Sequence, residues 1–174
     1  MRDKVYRSSN PIGFSSPAAG NLMTKEFDQM VAEMPSLLLK VRRAELLSRG
    51  NLHGIPQRGV YVLYEDGKPI YVGRSNRLRD RLLEHSRPSS RHNSAPFAFN
   101  LAKEKAARRG INISQARNEL ERDLAFKDLF TQAKKRVSLM RIRTVQIDSP
   151  VMQTLFEVYA ALALKTPYNE FDTH

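Results

Sequence analysis

Two periods run through the apolar residues of this chain. Gly59-Val-Tyr-Val-Leu-Tyr64 and Pro69-Ile-Tyr-Val-Gly73 are short β-branched and aromatic runs flanking Asp66-Gly67. That dipeptide suits a two-residue hairpin turn, whose central residues must both take positive φ. The pattern predicts antiparallel strands over 59–65 and 69–73, and Val137 to Ile147 predicts a third. Elsewhere the spacing is helical. Thr24 offers an N-cap to a helix carrying Phe27, Met30, Val31 and Met34, and Pro35 restarts a second one through Leu38, Val41 and Leu46 to Gly50. Ser75 or Asn76 caps a helix to about Arg87, Pro88 to Asn93 reads as a surface loop, and Pro96 opens a helix ending at Gly110. Ser114 caps a long charged helix to about Lys135, and Ser149-Pro150 starts a nearly all-apolar helix that stops before Thr166-Pro167. Met1 to Asn21, rich in Ser, Pro, Gly and Asn without periodicity, reads as an arm.

These elements predict an α+β fold, a small three-stranded antiparallel sheet flanked by helices. An N-terminal arm and helices occupy 1–58, and a domain over 59–174 carries a basic helical stretch at 88–136. A length of 174 residues suits one domain.

Charge changes the picture more than composition does. The 29 Lys and Arg exceed the 18 Asp and Glu by 11, which points to a polyanionic partner, nucleic acid before an anionic membrane. Residues 88–136 hold 11 basic and 5 acidic side chains and 1–58 hold 9 and 5, against 3 and 4 in 137–174. The surplus therefore lies in the helical parts outside the hairpin, where it would grip phosphates. No apolar run is long enough to span a bilayer and the N-terminus lacks a signal-like stretch, so the expected location is cytoplasmic. The absence of cysteine removes thiolate metal sites and thiol nucleophiles, leaving oxygen or imidazole ligands and a hard ion such as Mg²⁺.

Candidate chemistry sits on three elements. In the helix after the hairpin, Leu78 and Leu82 form the buried stripe. At about 100° per residue, Arg81 lies about 60° and His85 about 20° from Leu78, so both face the sheet. Each alone fits an ordinary reading, a core-edge arginine and a satisfied core histidine. Glu157 is the lone charge between Leu155 and Leu164, so it must be paired, protonated or metal-bound. A salt bridge to Arg81 is the alternative to a metal.

Taken in order, Gly59-Val60-Tyr61, Tyr71-Val72-Gly73, Arg81, His85, Glu157 and Asn169 resemble the signature of the GIY-YIG nucleases over roughly 59–87 and 137–170. The resemblance implies a metal-dependent endonuclease that hydrolyses DNA phosphodiester bonds, using one Mg²⁺ or Mn²⁺. It implies that Glu157 holds the ion, that Tyr61 and Tyr71 flank the attacking water, and that one phenol, helped toward phenolate by positive charge, is the general base. Arg81 would neutralise charge on the phosphoryl oxygens, and His85 would contact nucleophile or phosphate. Asn169 would organise the site. Arg74 would add a positive contact to DNA, and Arg77 is a further candidate for binding it. Tyr159 and Tyr168 read as core.

Compact size, N-terminal helices and basic stretch are most similar to restriction-type members, which act on duplex DNA and often as oligomers; a homodimer is expected on that ground. The alternatives are a repair or homing-type nuclease and a DNA-binding module that keeps the fold without the chemistry.

Overall fold

The computed structural model describes residues 20–169 and 171, so the arm before residue 20 lies outside the described residues. The chain divides into two compact units, Met1–Ala32 and Glu33–His174. The fold is α+β, with a four-stranded antiparallel sheet and six helices among the described residues.

Helix α1 runs Gly20–Arg43 without interruption through Pro35, where two helices were expected. Proline removes one backbone bond, here the one to the carbonyl of Val31, an exposed residue whose carbonyl water can satisfy. In the second unit the helix buries Met34, Leu37, Leu38 and Val41, a stripe at helical spacing.

The sheet has the order β1-β4-β2-β3, formed by β1 Leu47–Ser48, β2 Gly59–Glu65, β3 Lys68–Ser75 and β4 Arg141–Gln146. It is one strand larger than predicted, because β1 arises inside the stretch expected to be helical up to Gly50. Two residues are too few to show a period. What fixes them is tertiary: Leu47 pairs with Ile142, and the Arg141 guanidinium donates to the carbonyls of Leu46 and Leu47. The β2–β3 turn has Asp66 at φ 50 and Gly67 at φ 76, both positive as the Asp-Gly pair demands. A bulge between Leu63 and Tyr64 shifts the register toward the turn.

Around the sheet stand α2 Leu78–Glu84, α3 Pro96–Arg108, α4 Arg117–Leu120, α5 Leu124–Leu139 and α6 Pro150–Leu164. The long helix expected from Ser114 breaks because Asp123 takes an extended ψ of 125 and its Oδ1 accepts from the Phe126 amide at 2.7 Å, an N-cap that starts α5 anew. That helix runs to Leu139, so the strand begins at Arg141 instead of Val137.

Tyr61 and Leu63 of β2 join one core with Leu78 and Leu82 of α2, Phe97, Phe99 and Leu101 of α3, and Phe126, Leu129 and Phe130 of α5. The segment 88–136, expected as an accessory stretch, thus supplies much of the core. On the alternate positions Val60, Val62 and Val72 are also buried; α6 packs on β3 and β2. No described helix is long and apolar enough to cross a membrane.

Candidate active site

The site forms at the β3 edge of the sheet, and the two motif glycines explain how. Gly59 opens β2 at φ +147, and a Cβ there would stand 2.0 Å from the Val145 carbonyl oxygen of β4, so only glycine lets the strands close. Gly73 pairs with Tyr61 across the hairpin. A Cβ on Gly73 would lie 2.3 Å from the Tyr61 Oη: the hydroxyl end of the ring rests on this glycine.

Helix α2 is anchored by the Leu78 amide on the Gln57 carbonyl at 2.8 Å and by the burial of Leu78 and Leu82. That placement delivers His85, 1% exposed, so that its Nε2 stands 2.5 Å from the Tyr61 Oη. Burial first, then the Arg81 charge, lowers the His85 pKa from 6.5 to about 3, so the imidazole is neutral. Its Nδ1 has no partner among the described residues. Arg81, half-buried one turn earlier, donates from Nη1 to the Ser94 carbonyl at 3.0 Å.

Tyr71 reaches the same place from β3, its ring centroid 6.3 Å from that of Tyr61 and 6.0 Å from that of His85. Its other neighbour is Phe97, stacked at 4.4 Å and 13°. From α6, Glu157 accepts from the Arg74 Nε at 2.8 Å. Its salt-bridge partner is therefore Arg74, in place of the Arg81 considered as the alternative, although Arg81 lies near enough to lower its pKa. Burial outweighs both guanidinium groups and holds the Glu157 carboxyl above the usual carboxylate range.

Electrostatics at the two expected general-base candidates favour the neutral phenols in the free chain. Burial, then the neighbouring Tyr71, push the Tyr61 phenol well up; burial, then the Glu157 charge, push Tyr71 up; Arg81 opposes the rise at both. Desolvation wins because a phenolate in this core would lose its hydration. Both tyrosines are phenols at neutral pH in this structure.

Asn169 pairs with the outer edge of β3 as a strand would: its Oδ1 accepts from the Val72 amide and its Nδ2 donates to the Val72 carbonyl, each at 2.8 Å. Thr166 Oγ1 adds a bond to the same Oδ1 at 2.9 Å. Val72 lies between Tyr71 and Gly73, so this clamp fixes both. Arg77, by contrast, turns to its own helix, its guanidinium 3.3 Å from Asp80 and 3.6 Å from Glu84, and joins none of the five grouped side chains. Of the two tyrosines read as core, Tyr168 packs partly buried against Phe97, and Tyr159 stacks at 6.4 Å on Phe156.

Sequence reasoning missed three supports. Phe97, which stacks on Tyr71, has the spacing of any core residue. The Ser94 carbonyl that holds Arg81 is backbone and leaves no trace in residue type. Gln153 did leave one, as a polar residue four positions before Glu157 in the apolar helix. It is 1% exposed, and its Nε2 donates to the Ile147 carbonyl at 2.8 Å and to Asn76 at 3.1 Å, tying the β3–α2 turn to α6.

Glu157 offers a single carboxylate, already paired with Arg74. Among the described residues no three His, Asp or Glu side chains cluster as a metal cage, so an ion there would take its other ligands from water and substrate oxygens, as Mg²⁺ readily does. Comparison with protein-family models, curated proteins and solved structures gives no match.

Proposed function

We propose that this chain is a GIY-YIG-type endonuclease that hydrolyses DNA phosphodiester bonds with one Mg²⁺ or Mn²⁺ held by Glu157. The observation that supports the reading is the cluster of Tyr61, Tyr71 and His85, with Arg81 from α2 and Glu157 from α6 near enough for their charges to shift both phenols. The net charge of +11 supports a polyanionic substrate.

In this reading the water's proton does not pass to a preformed phenolate. Tyr61 Oη accepts it while passing its own proton to His85 Nε2, across the 2.5 Å contact. A neutral imidazole can take it there when its hydrogen sits on Nδ1. Low His85 basicity opposes the transfer in the free protein; an incoming phosphate anion favours the imidazolium. Arg81, its fork oriented by Ser94, neutralises charge gathering on the phosphoryl oxygens. Tyr71, clamped between Phe97 and the Asn169-bound edge, flanks the attacking water from the opposite side. Arg74 is positioned to exchange Glu157 for a substrate phosphate. A cation on Glu157 would polarise the scissile phosphate and stabilise the leaving 3′ oxygen.

One observation favours a binding module instead: the Arg74 bond to Glu157 already satisfies the carboxylate a metal would need. Supercoiled plasmid separates the two readings. Nicked or linear product carrying 5′-phosphate and 3′-hydroxyl ends, formed with Mg²⁺ and suppressed by EDTA, supports the nuclease; a mobility shift with no nicking under either condition refutes it.

A further inference from the structure

A second basic site lies away from the tyrosines. The loop Pro88–Arg91 and helices α4 and α5 line an open, shallow cavity of about 280 Å³ that carries Arg91, Arg122, Lys127 and Lys134, with Glu121 as its carboxylate. Glu121 is already engaged: its Oε1 accepts from the His92 amide at 2.5 Å, and its Oε2 lies 2.9 Å from His92 Nδ1 and 3.3 Å from Arg91 Nε. Those contacts hold it below the usual carboxylate range despite its burial. Arg122, Lys127 and Lys134 have no ion-pair partner among the described residues.

Lys134 is the telling member. It is 7% exposed, a rare state for an ammonium. Its Nζ donates to the Pro88 carbonyl at 2.5 Å and the Ser90 carbonyl at 3.1 Å and stands 4.5 Å from the centre of the Phe130 ring, so it ties the loop to α5 while adding positive charge to the cavity wall. Burial lowers its pKa; the Glu121 charge opposes that shift, and repulsion from Lys127, a smaller effect, adds to it. Glu121, shared with Arg91 and His92, is the single carboxylate lining this cavity against four cations, so a further anion is favoured there, one with several acceptor oxygens to meet guanidinium and ammonium groups at once.

We propose that this cavity binds a phosphate group, that of a DNA backbone phosphate other than the one cleaved. The DNA assignment rests on the nuclease reading; phosphate binding itself does not. The chain leaving this loop reaches Ser94 three residues after Arg91, and its carbonyl orients Arg81, so a phosphate held here would steady the arginine that serves the scissile one.

The test measures duplex DNA binding by fluorescence anisotropy between about 50 and about 200 mM salt, for wild type and Arg122→Gln/Lys127→Gln. Both side chains are exposed, and equal urea midpoints verify folding. A control pair, Lys68→Gln/Lys165→Gln, makes the same charge change at exposed positions outside the two basic stretches. Losing one phosphate contact should flatten the slope of log K against log salt by about 0.9, so the affinity lost across that salt range shrinks about three- to fourfold. The control should keep the wild-type slope. Equal slopes in all three proteins, with no inorganic phosphate bound that the cavity variant loses, overturn the site, and equal flattening in both variants replaces it with a diffuse field. Inorganic phosphate binding wild type but not the cavity variant, with unchanged DNA slopes, overturns the DNA assignment in favour of a free-phosphate site. Flattened binding in a protein that nicks no plasmid leaves this site standing and removes the nuclease reading.

Discussion

Replacing Gly73 by alanine adds one methyl group at the point where the account is tightest. Its Cβ would stand 2.3 Å from the Tyr61 Oη and 2.4 Å from Cζ, whereas nonbonded heavy atoms settle at about 3.5–4.0 Å. The ring must therefore retreat by about 1 Å or more. It cannot swing aside cheaply, because Tyr61 is 1% exposed and its hydroxyl is bonded to His85 at 2.5 Å. Overpacking of this kind costs about 1–3 kcal/mol, and displacing a reacting group by about 1 Å costs about 100-fold in rate. Urea unfolding and single-turnover cleavage of duplex DNA, on the same preparation, read both quantities. Gly50→Ala is the control, since a Cβ there meets nothing within 4 Å and should change stability by no more than about 0.5 kcal/mol. If Gly73→Ala unfolds and cuts as wild type does, the ring does not lie where its role requires.

Acid should destabilise the fold through His85. With a folded pKa of about 3 against 6.5, the unfolded chain alone binds this proton between those values, so stability falls by about 1.4 kcal/mol per pH unit on acidification below about 6.5. Glu65 and Glu121, whose pKa values are lowered, add losses of the same sign chiefly below about pH 5. Urea midpoints at pH 7 and pH 5 should therefore differ in wild type and converge in His85→Gln; an equal difference in both proteins excludes His85 as the cause. Asn169→Ala removes three hydrogen bonds on or beside the Val72 backbone, a loss of about 1–3 kcal/mol at roughly 1 kcal/mol each, moderated where water reaches the edge. Amide exchange at Val72 should accelerate in that variant, and unchanged protection would contradict the clamp.

The hairpin, the buried face of α2 and the lone carboxylate of α6 were legible because each rests on local chemistry: an Asp-Gly turn, a stripe at helical spacing, a charge in an apolar run. The face that α6 buries was not, since Val158 and Leu162 are exposed while Gln153 is buried. β1 was illegible because its two residues are held by Arg141 from the far end of the chain. Pro35 misled because exposure of the preceding turn lets the helix continue past it. The phenol protonation states were illegible for a different reason. Residue types announce an arginine beside two tyrosines, but only packing shows that desolvation exceeds its charge. The pairing of Glu157 with Arg74 also had to wait for the sheet edge to bring β3 against α6.

Glu157→Ala tests the central claim most directly. The Arg74–Glu157 pair is partly exposed, 43% and 22%, so its loss should cost at most about 1 kcal/mol and leave folding and duplex binding intact. Plasmid cleavage by wild type and Glu157→Ala, side by side with Mg²⁺ or EDTA, should show Mg²⁺-dependent cutting by the first and none by the second. Equal cutting by both proteins would contradict the placement of the metal on Glu157 and the hydrolytic mechanism built around it.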